Sequence, residues 1–218
     1  FFGWEKVSAR FHLTSTWFTA IGAAISALWI LVANSWMQNP VGMEFNPDTV
    51  RHEMVDFWAV VFNPVAISKF FHAVFSGWMT GSIFVIGISS WYLLRGRETR
   101  FALASIRVAA IVGIIGTIAV MFSGDSSGVQ MAKYQPMKLA AAEGLEEGGT
   151  EAPFSVVPGV EVPGALSFLA THDTEGYVPG IDNIIDGYTT PDGEVHPSAE
   201  EKIERGKLAI DAFKQYRE

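Results

Sequence analysis

Long apolar stretches with almost no charge dominate the first 124 residues of the chain. Residues 13–37 contain no charged side chain, residues 70–94 contain one group that titrates near neutral pH, His72, and residues 101–124 contain one charge, Arg107. A helix needs about 20 predominantly apolar residues to cross the core of a bilayer. An arginine near a helix end can extend its guanidinium to the headgroups, so Arg107 does not exclude a span.

These stretches predict three membrane-spanning helices, over about residues 11–37, 70–95 and 101–124. A soluble protein with three buried helices is the alternative, but charge-free runs of this length disfavour it. We therefore expect an all-α membrane protein. It would be a transmembrane helix bundle with an extracytoplasmic, partly irregular polar loop domain.

The basic residues between the spans predict the orientation. Three arginines lie within residues 95–100, whereas the longer link over residues 38–69 has only two basic residues. Basic residues concentrate in cytoplasmic loops of membrane proteins. The short link is therefore predicted to be cytoplasmic, which places residues 38–69 and 125–218 on the extracytoplasmic side. His72 would then lie near the outer end of the second span.

The outer link itself shows a helical pattern. Asn46 is a suitable N-cap, Pro47 is favoured at the first helical position, and Asn63 precedes a proline that would end the helix. Apolar residues recur between them at helical spacing: Val50, Met54, Phe57, Trp58 and Val61. We expect a short amphipathic helix over about residues 47–62, lying on the membrane surface or against a partner.

Composition changes sharply near residue 125. Most acidic residues follow that point and account for much of the net charge of −8. We expect a membrane part over residues 1–126 and an aqueous part over residues 127–218. The aqueous part shows an Ala-rich helical segment at 136–147, β-like runs at 154–162 broken by Pro158 and Gly159, and a helix that starts in the string from Pro197 with Ser198 as its cap.

Composition also excludes several classes of site. The chain has no cysteine, which rules out disulfides and Cys-ligated zinc or iron–sulfur clusters. No basic face is visible, so a nucleic-acid partner is not expected. The acidic and histidine residues have no convincing zinc spacing, and the chain has no P-loop or dinucleotide-binding fingerprint.

His72 is the leading candidate for a functional residue. An ionisable side chain inside a membrane span is costly and marks a functional site by default. Imidazole is a common axial ligand of haem iron, but a proton relay or an interhelical hydrogen bond would also explain it. His12 lies at the opposite end of its own span, too far away to share an iron with His72. If His72 binds haem, the second ligand lies outside this chain or the iron is five-coordinate.

Three further polar residues have ordinary explanations on spacing alone. Asn34 lies in the first span, where an interhelical hydrogen bond would account for it. Lys138 and Glu143 are five residues apart, so on a helix they point about 140° away from each other. Solvated surface charges explain both of them without any functional role.

A series of strings along the chain is distinctive when taken in order. They are Phe2-Gly-Trp4, residues 26–40, Glu53-Met-Val55, Asn63-Pro-Val-Ala66, Lys69-Phe-Phe-His72, residues 87–97, Gly124-Asp-Ser-Ser-Gly128 and Lys138-Leu-Ala-Ala-Ala-Glu143. In these strings the chain closely resembles subunit I of the cytochrome bd quinol oxidases. The resemblance covers nearly the whole chain and is looser in the polar tail.

The resemblance implies a role in a bacterial respiratory chain. Members of this family oxidise ubiquinol or menaquinol, reduce O₂ to water and contribute to the proton gradient across the inner membrane. Their subunit I contains haem b558, haem b595 and haem d. The implied partners are the remainder of subunit I, subunit II, membrane lipid and the quinol, with a small accessory subunit as a further candidate.

The resemblance also assigns roles to individual residues. His72 matches the histidine ligand of haem b558. Lys138 and Glu143 match the lysine and glutamate of the quinol loop, where quinol is oxidised. Asp125 and Phe154 fall near positions associated with quinol or inhibitor binding.

Two more positions match a proton pathway. Asn34 falls where the family has an asparagine, and Glu5 falls where it has an aspartate, a shorter acid.

The methionine ligand of haem b558 and the ligands of the high-spin haems belong to segments outside this chain. We therefore expect an internal portion of subunit I that does not reduce oxygen alone. The rival hypothesis is a cofactor-free transport or scaffold protein in which His72 only makes a hydrogen bond.

Overall fold

The computed structural model describes residues 3, 5–49, 51–157 and 160–217. Its internal contacts divide the chain into two units. The first unit comprises Phe1–Val41 and Phe57–Gly124, and the second comprises Gly42–Asp56 and Asp125–Glu218. Phe2 and Trp4, which belong to the first distinctive string, lie outside the described residues.

Helices form the first unit. They are α1 at Ala9–Gln38, α2 at Phe57–Val61, α3 at Pro64–Leu94 and α4 at Thr99–Tyr134, although α4 belongs to the second unit from Asp125 onward. Three helical segments, built on α1, α3 and α4, are long and apolar enough to cross a membrane. The three predicted spans are therefore confirmed as helices, and most of their large apolar side chains remain exposed, as lipid-facing surfaces require.

The junction between α1 and α3 is fixed by one buried polar residue, Asn63. Its Oδ1 accepts a hydrogen bond from the Val65 amide at 3.0 Å, which caps α3. Its Nδ2 donates to the Asn39 carbonyl at 2.9 Å, just after the end of α1. Pro64 occupies the first helical position, where a proline is favoured. The second span thus begins about one and a half turns earlier than the apolar run alone predicted.

The outer link differs from its prediction. Strand β1, Met43–Asn46, pairs antiparallel with strand β2, Arg51–Met54, so most of the helix predicted at about 47–62 is wrong. Only α2 is helical in this segment. Val50, one of the residues in the predicted pattern, lies outside the described residues.

Local hydrogen bonds explain why a hairpin forms there. Asn46 Oδ1 accepts from the Asp48 amide at 2.9 Å, which closes a turn instead of capping a helix. Asn46 Nδ2 and the Thr49 hydroxyl donate to the Glu53 carboxylate at 2.9 and 2.7 Å. These two hydrogen bonds, with Asn46 the larger cause, lower the pKa of Glu53.

Helix α4 continues about ten residues beyond the predicted end of the third span. The polar run that begins at Gly124 ends the apolar stretch, but it contains no proline, and the first proline after it is Pro136. A change from apolar to polar residues marks a membrane boundary and does not by itself end a helix.

The second unit consists of short elements. After the hairpin they are α5 at Pro136–Glu143, β3 at Phe154–Val157, β4 at Val160–Val162, α6 at Ala165–Thr171, α7 at Ile181–Asp186, β5 at Tyr188–Thr189, β6 at Val195–His196 and α8 at Ala199–Arg217. Each strand pair is an antiparallel two-stranded sheet. Pro158 and Gly159, predicted to break the β-like runs, lie outside the described residues.

A small core joins α5, α6 and the loop segments beside them. Its buried members are Leu139, Ala152, Leu166, Ala170 and Val178. The Ala152 amide donates to the buried Ser167 hydroxyl at 2.8 Å, which ties the loop after α5 to α6. This core positions α5, the helix that carries Lys138 and Glu143.

Two chain segments cross closely at Gly180. The Gly149 and Val178 backbones exchange two hydrogen bonds of 2.9 Å, and Asn183 Oδ1 accepts from the Gly148 and Gly180 amides at 2.7 and 2.9 Å. A Cβ at Gly180 would stand 2.5 Å from the Gly148 nitrogen and 2.6 Å from the Glu147 carbonyl carbon. Real Cβ atoms do not approach backbone atoms this closely, so only glycine fits at this position.

The Gly180→Ala substitution is therefore expected to destabilise the second unit by about 3 kcal/mol, the upper range for overpacking. Hydrogen exchange of the full-length protein should show lost protection over residues 144–186. Gly206→Ala is the matched control, because nothing lies within 4 Å of a Cβ at this position in α8. Unchanged protection in Gly180→Ala would contradict the close crossing.

Candidate functional site

His72, on α3, packs against α4 at Ser123 and Gly124. The ring is half-buried, and its Nδ1 lies 3.2 Å from the Ser123 hydroxyl. A Cβ at Gly124 would stand 3.3 Å from His72 Cε1, so glycine leaves room for the edge of the ring. Nε2 makes no hydrogen bond within the described residues, which leaves this nitrogen available for a ligand.

Lys69 lies one helical turn before His72 and contacts α1. Its Nζ donates to Asn34 Oδ1 at 3.2 Å and to Gln38 Oε1 at 2.7 Å. Gln38 Nε2 also donates to Asn34 Oδ1 at 3.0 Å. Asn34 thus makes an interhelical hydrogen bond, while its role in a proton pathway stays a prediction. Glu5 lies exposed in the turn before α1.

Sequence reasoning did not connect Lys69 and Gln38 with Asn34. A signal was present, because Asn34 and Gln38 are four residues apart and so lie on one face of α1. The contact with Lys69 joins residues 35 positions apart, which no local pattern reveals.

Helix α5 presents Lys138 and Glu143 to solvent. The helix begins at Pro136 and ends at Glu143, where Gly144 adopts a left-handed conformation with φ of 64°. Leu139 and Ala140 form its buried face, and both charged side chains are exposed. Within the described residues neither charge makes a hydrogen bond or an ion pair. The structure does not bring the two side chains together, in agreement with their helical spacing.

Asp125 pairs with a histidine that sequence reasoning missed. His172 Nε2 lies 3.1 Å from both carboxylate oxygens of Asp125, and both side chains are about half exposed. His172 ends α6 in a left-handed conformation with φ of 61°. Within the second unit, the pair ties the end of α6 to the part of α4 that begins at Asp125, 47 residues away in sequence.

Phe154 lies at the start of β3 and is half-buried. It packs against the core that contains Leu139, the residue after Lys138. The structure therefore places Phe154 against the same core as the buried face of α5, whereas Asp125 pairs with α6. Direct contact of either residue with quinol stays a prediction.

An aromatic stack lies further along the second unit. The Tyr188 ring stacks with Tyr177 and with His196, with centroid separations of 5.7 and 4.4 Å. Burial, followed by the charges of Tyr177 and Glu194, raises the pKa of Tyr188. No group of three or more His, Asp or Glu side chains gathers as a metal site in the part of the chain that the structure describes.

The family model for cytochrome bd terminal oxidase subunit I matches residues 1–204. The chain belongs to this family. The resemblance seen in the sequence strings is therefore confirmed over most of the chain.

Individual relatives agree with this membership. Cytochrome bd-II ubiquinol oxidase subunit 1 of Escherichia coli K12 is 42% identical over 96% of this chain and 41% of the relative. Cytochrome bd ubiquinol oxidase subunit 1 of Bacillus subtilis 168 is 36% identical over 83% of this chain and 41% of the relative. The chain thus spans about two fifths of the length of these curated relatives.

A solved structure is similar in fold as well. The bd oxidase of Geobacillus thermodenitrificans superimposes with a TM-score of 0.67 at 29% identity, covering 83% of this chain and 44% of that chain. The predicted all-α membrane helix bundle is confirmed by this similarity and by the three apolar helical segments.

Proposed function

We propose that this chain is the portion of a terminal quinol oxidase that holds one ligand of haem b558 and part of the quinol site. The main support is the family match, together with relatives whose names describe ubiquinol oxidase subunits. The complete enzyme would oxidise quinol and reduce O₂ to water. Haem b595 and haem d would be held by segments outside this chain.

His72 has the features of a residue that would hold haem iron. Its ring is held at Nδ1 by a neighbouring hydroxyl, while Nε2 is available. Histidine ligands commonly donate their second ring N–H to a nearby acceptor, which orients the ring. When bound, haem b558 supplies a one-electron acceptor. The role of His72 is to place an imidazole nitrogen at the iron, with the second ligand supplied from elsewhere in subunit I.

Lys138 and Glu143 are proposed to act on quinol itself. Glu143 accepts a proton from a quinol hydroxyl as general base, and Lys138 donates a hydrogen bond to a quinol oxygen. Their exposure, with no intramolecular partner described for either, supports access by a substrate. Because they point to different sides of α5, we assign them to different oxygens of the quinol ring.

Five further residues have proposed roles at the quinol site and in proton transfer. Asp125, with its partner His172, and Phe154 flank the quinol, while Asn34 and Glu5 belong to a proton pathway. The second unit and the rest of the outer link lie on the extracytoplasmic side of a bacterial inner membrane. The remainder of subunit I, subunit II, a small accessory subunit, ubiquinol or menaquinol and lipid are the proposed partners.

A purified full-length subunit, assembled with its partner, tests the proposed function. We expect a Soret band and quinol-dependent oxygen consumption in the same preparation. A colourless complex would overturn the proposal and favour the cofactor-free transport or scaffold protein. Supplying ubiquinol and menaquinol separately would show which quinol the enzyme uses.

A further inference from the structure

The Ser123 hydroxyl makes two kinds of contact. Its Oγ lies 2.7 Å from the Ala119 carbonyl oxygen and 3.3 Å from the Val120 carbonyl oxygen on its own helix. The same Oγ lies 3.2 Å from Nδ1 of His72 on α3. The Ser123 hydroxyl thus lies between the Ala119 carbonyl of α4 and the imidazole ring of His72.

These contacts determine where the imidazole proton resides. A carbonyl oxygen only accepts, so the single hydrogen of the Ser123 hydroxyl points to Ala119. Toward His72 the same oxygen can therefore only accept, which requires the hydrogen of the neutral ring on Nδ1. The lone pair of the ring is then on Nε2, the nitrogen that makes no hydrogen bond within the described residues.

We infer that Ser123 is a positioning residue that fixes the Nδ1–H tautomer of His72 and so presents the Nε2 lone pair to the haem iron. The inference rests on the proposed ligand role of His72. Ser123 does not touch the iron; it acts through the ring. Gly124 assists, because a Cβ there would stand 3.3 Å from Cε1 and the ring would have to shift by a few tenths of an ångström.

A hydrogen bond to Nδ1–H also makes the imidazole a stronger donor through Nε2. A stronger donor stabilises ferric iron over ferrous iron and lowers the reduction potential. Removal of the acceptor is therefore expected to raise the midpoint potential of the low-spin haem. If the imidazole loses tenfold in its affinity for ferric iron relative to ferrous iron, the midpoint potential rises by about 59 mV for this one-electron couple.

The test is a redox titration of the low-spin b-haem in the assembled full-length oxidase. In Ser123→Ala we expect the b-haem band to remain, its midpoint potential to rise by about 59 mV and haem occupancy to fall. Ser123→Thr keeps a hydroxyl acceptor and is expected to return the potential to the wild-type value. A helix-packing role for Ser123 alone would not produce this pattern.

Thr117→Ala is the matched control. The Thr117 hydroxyl donates to the Gly113 carbonyl at 2.8 Å, the same type of bond that Ser123 makes with Ala119, but its side chain is exposed and makes no hydrogen bond with a histidine among the residues that the structure describes. We expect a wild-type potential in this variant. An equal shift in Thr117→Ala and Ser123→Ala would overturn the inference, since it would report a general effect on α4.

The inference and the proposed function fail in different ways. If His72→Ala keeps the low-spin band, the ligand role is wrong and the inference fails with it. If His72→Ala loses the band but Ser123→Ala has the wild-type potential, the ligand role stands and only the role of Ser123 is overturned.

Discussion

In the full-length subunit, His72→Ala is expected to abolish the low-spin b-haem band completely. The imidazole is the proposed axial ligand from this chain, and a methyl group has no lone pair to replace it. Without this nitrogen, the site would lose a group that is proposed to hold the haem in its low-spin state. A reduced-minus-oxidised difference spectrum of the purified complex measures the loss directly.

His12→Ala is the control for this experiment. His12 is also a half-buried histidine in a membrane helix, but it lies in the first turn of α1, and no ligand role is proposed for it. We expect the wild-type spectrum in this variant. A low-spin band that persists in the His72→Ala variant would show that the histidine ligand of the iron lies in another segment.

The second large effect is expected for Glu143→Gln. The amide has nearly the shape of the carboxylate but cannot accept a proton, so quinol oxidation should slow by about 10²–10⁴-fold. The haem spectrum should persist, because no haem ligand is proposed in the second unit. Steady-state oxygen consumption with quinol, normalised to haem content, is the measurement.

Glu161→Gln tests whether the effect is specific to position 143. Glu161 is also exposed and lies in the same unit, in strand β4. We expect the Glu161→Gln variant to oxidise quinol at the wild-type rate. Normal turnover in Glu143→Gln would exclude the proposed base, whereas equal losses in both variants would indicate a general effect of surface charge.

The three spans could be predicted because their signal is local and strong. A run of about 20 apolar residues has few alternatives to a membrane helix. Their ends were less predictable, because they depend on single contacts. The buried Asn63 begins α3 ahead of the apolar run, and α4 continues past Gly124 because nothing there breaks a helix.

The hairpin formed by β1 and β2 could not be predicted from the local sequence pattern. Asn46 followed by a proline is compatible with a helix start and with a turn. In the structure, Glu53 accepts hydrogen bonds from Asn46 and Thr49, and the bond from Asn46 joins the two strands. A helical spacing of apolar residues cannot report such a contact.

The candidate site was only partly predictable for the same reason. His72 stands out because an ionisable group in a span needs an explanation. Ser123 does not stand out, because a serine in an apolar helix ordinarily bonds its own backbone. Its second contact lies 51 residues away, and the Asp125–His172 pair spans 47 residues. Only the fold reveals these partners.

One measurement tests the central claim, that this chain carries a haem ligand and a separate quinol-reactive acid. It is the difference spectrum of each variant after reduction with dithionite and, separately, with quinol under anaerobic conditions. The His72→Ala variant should lack the low-spin band with both reductants. The Glu143→Gln variant should show the band after reduction with dithionite but lack it after brief reduction with quinol. A low-spin band in dithionite-reduced His72→Ala, or rapid reduction of Glu143→Gln by quinol, would contradict the claim.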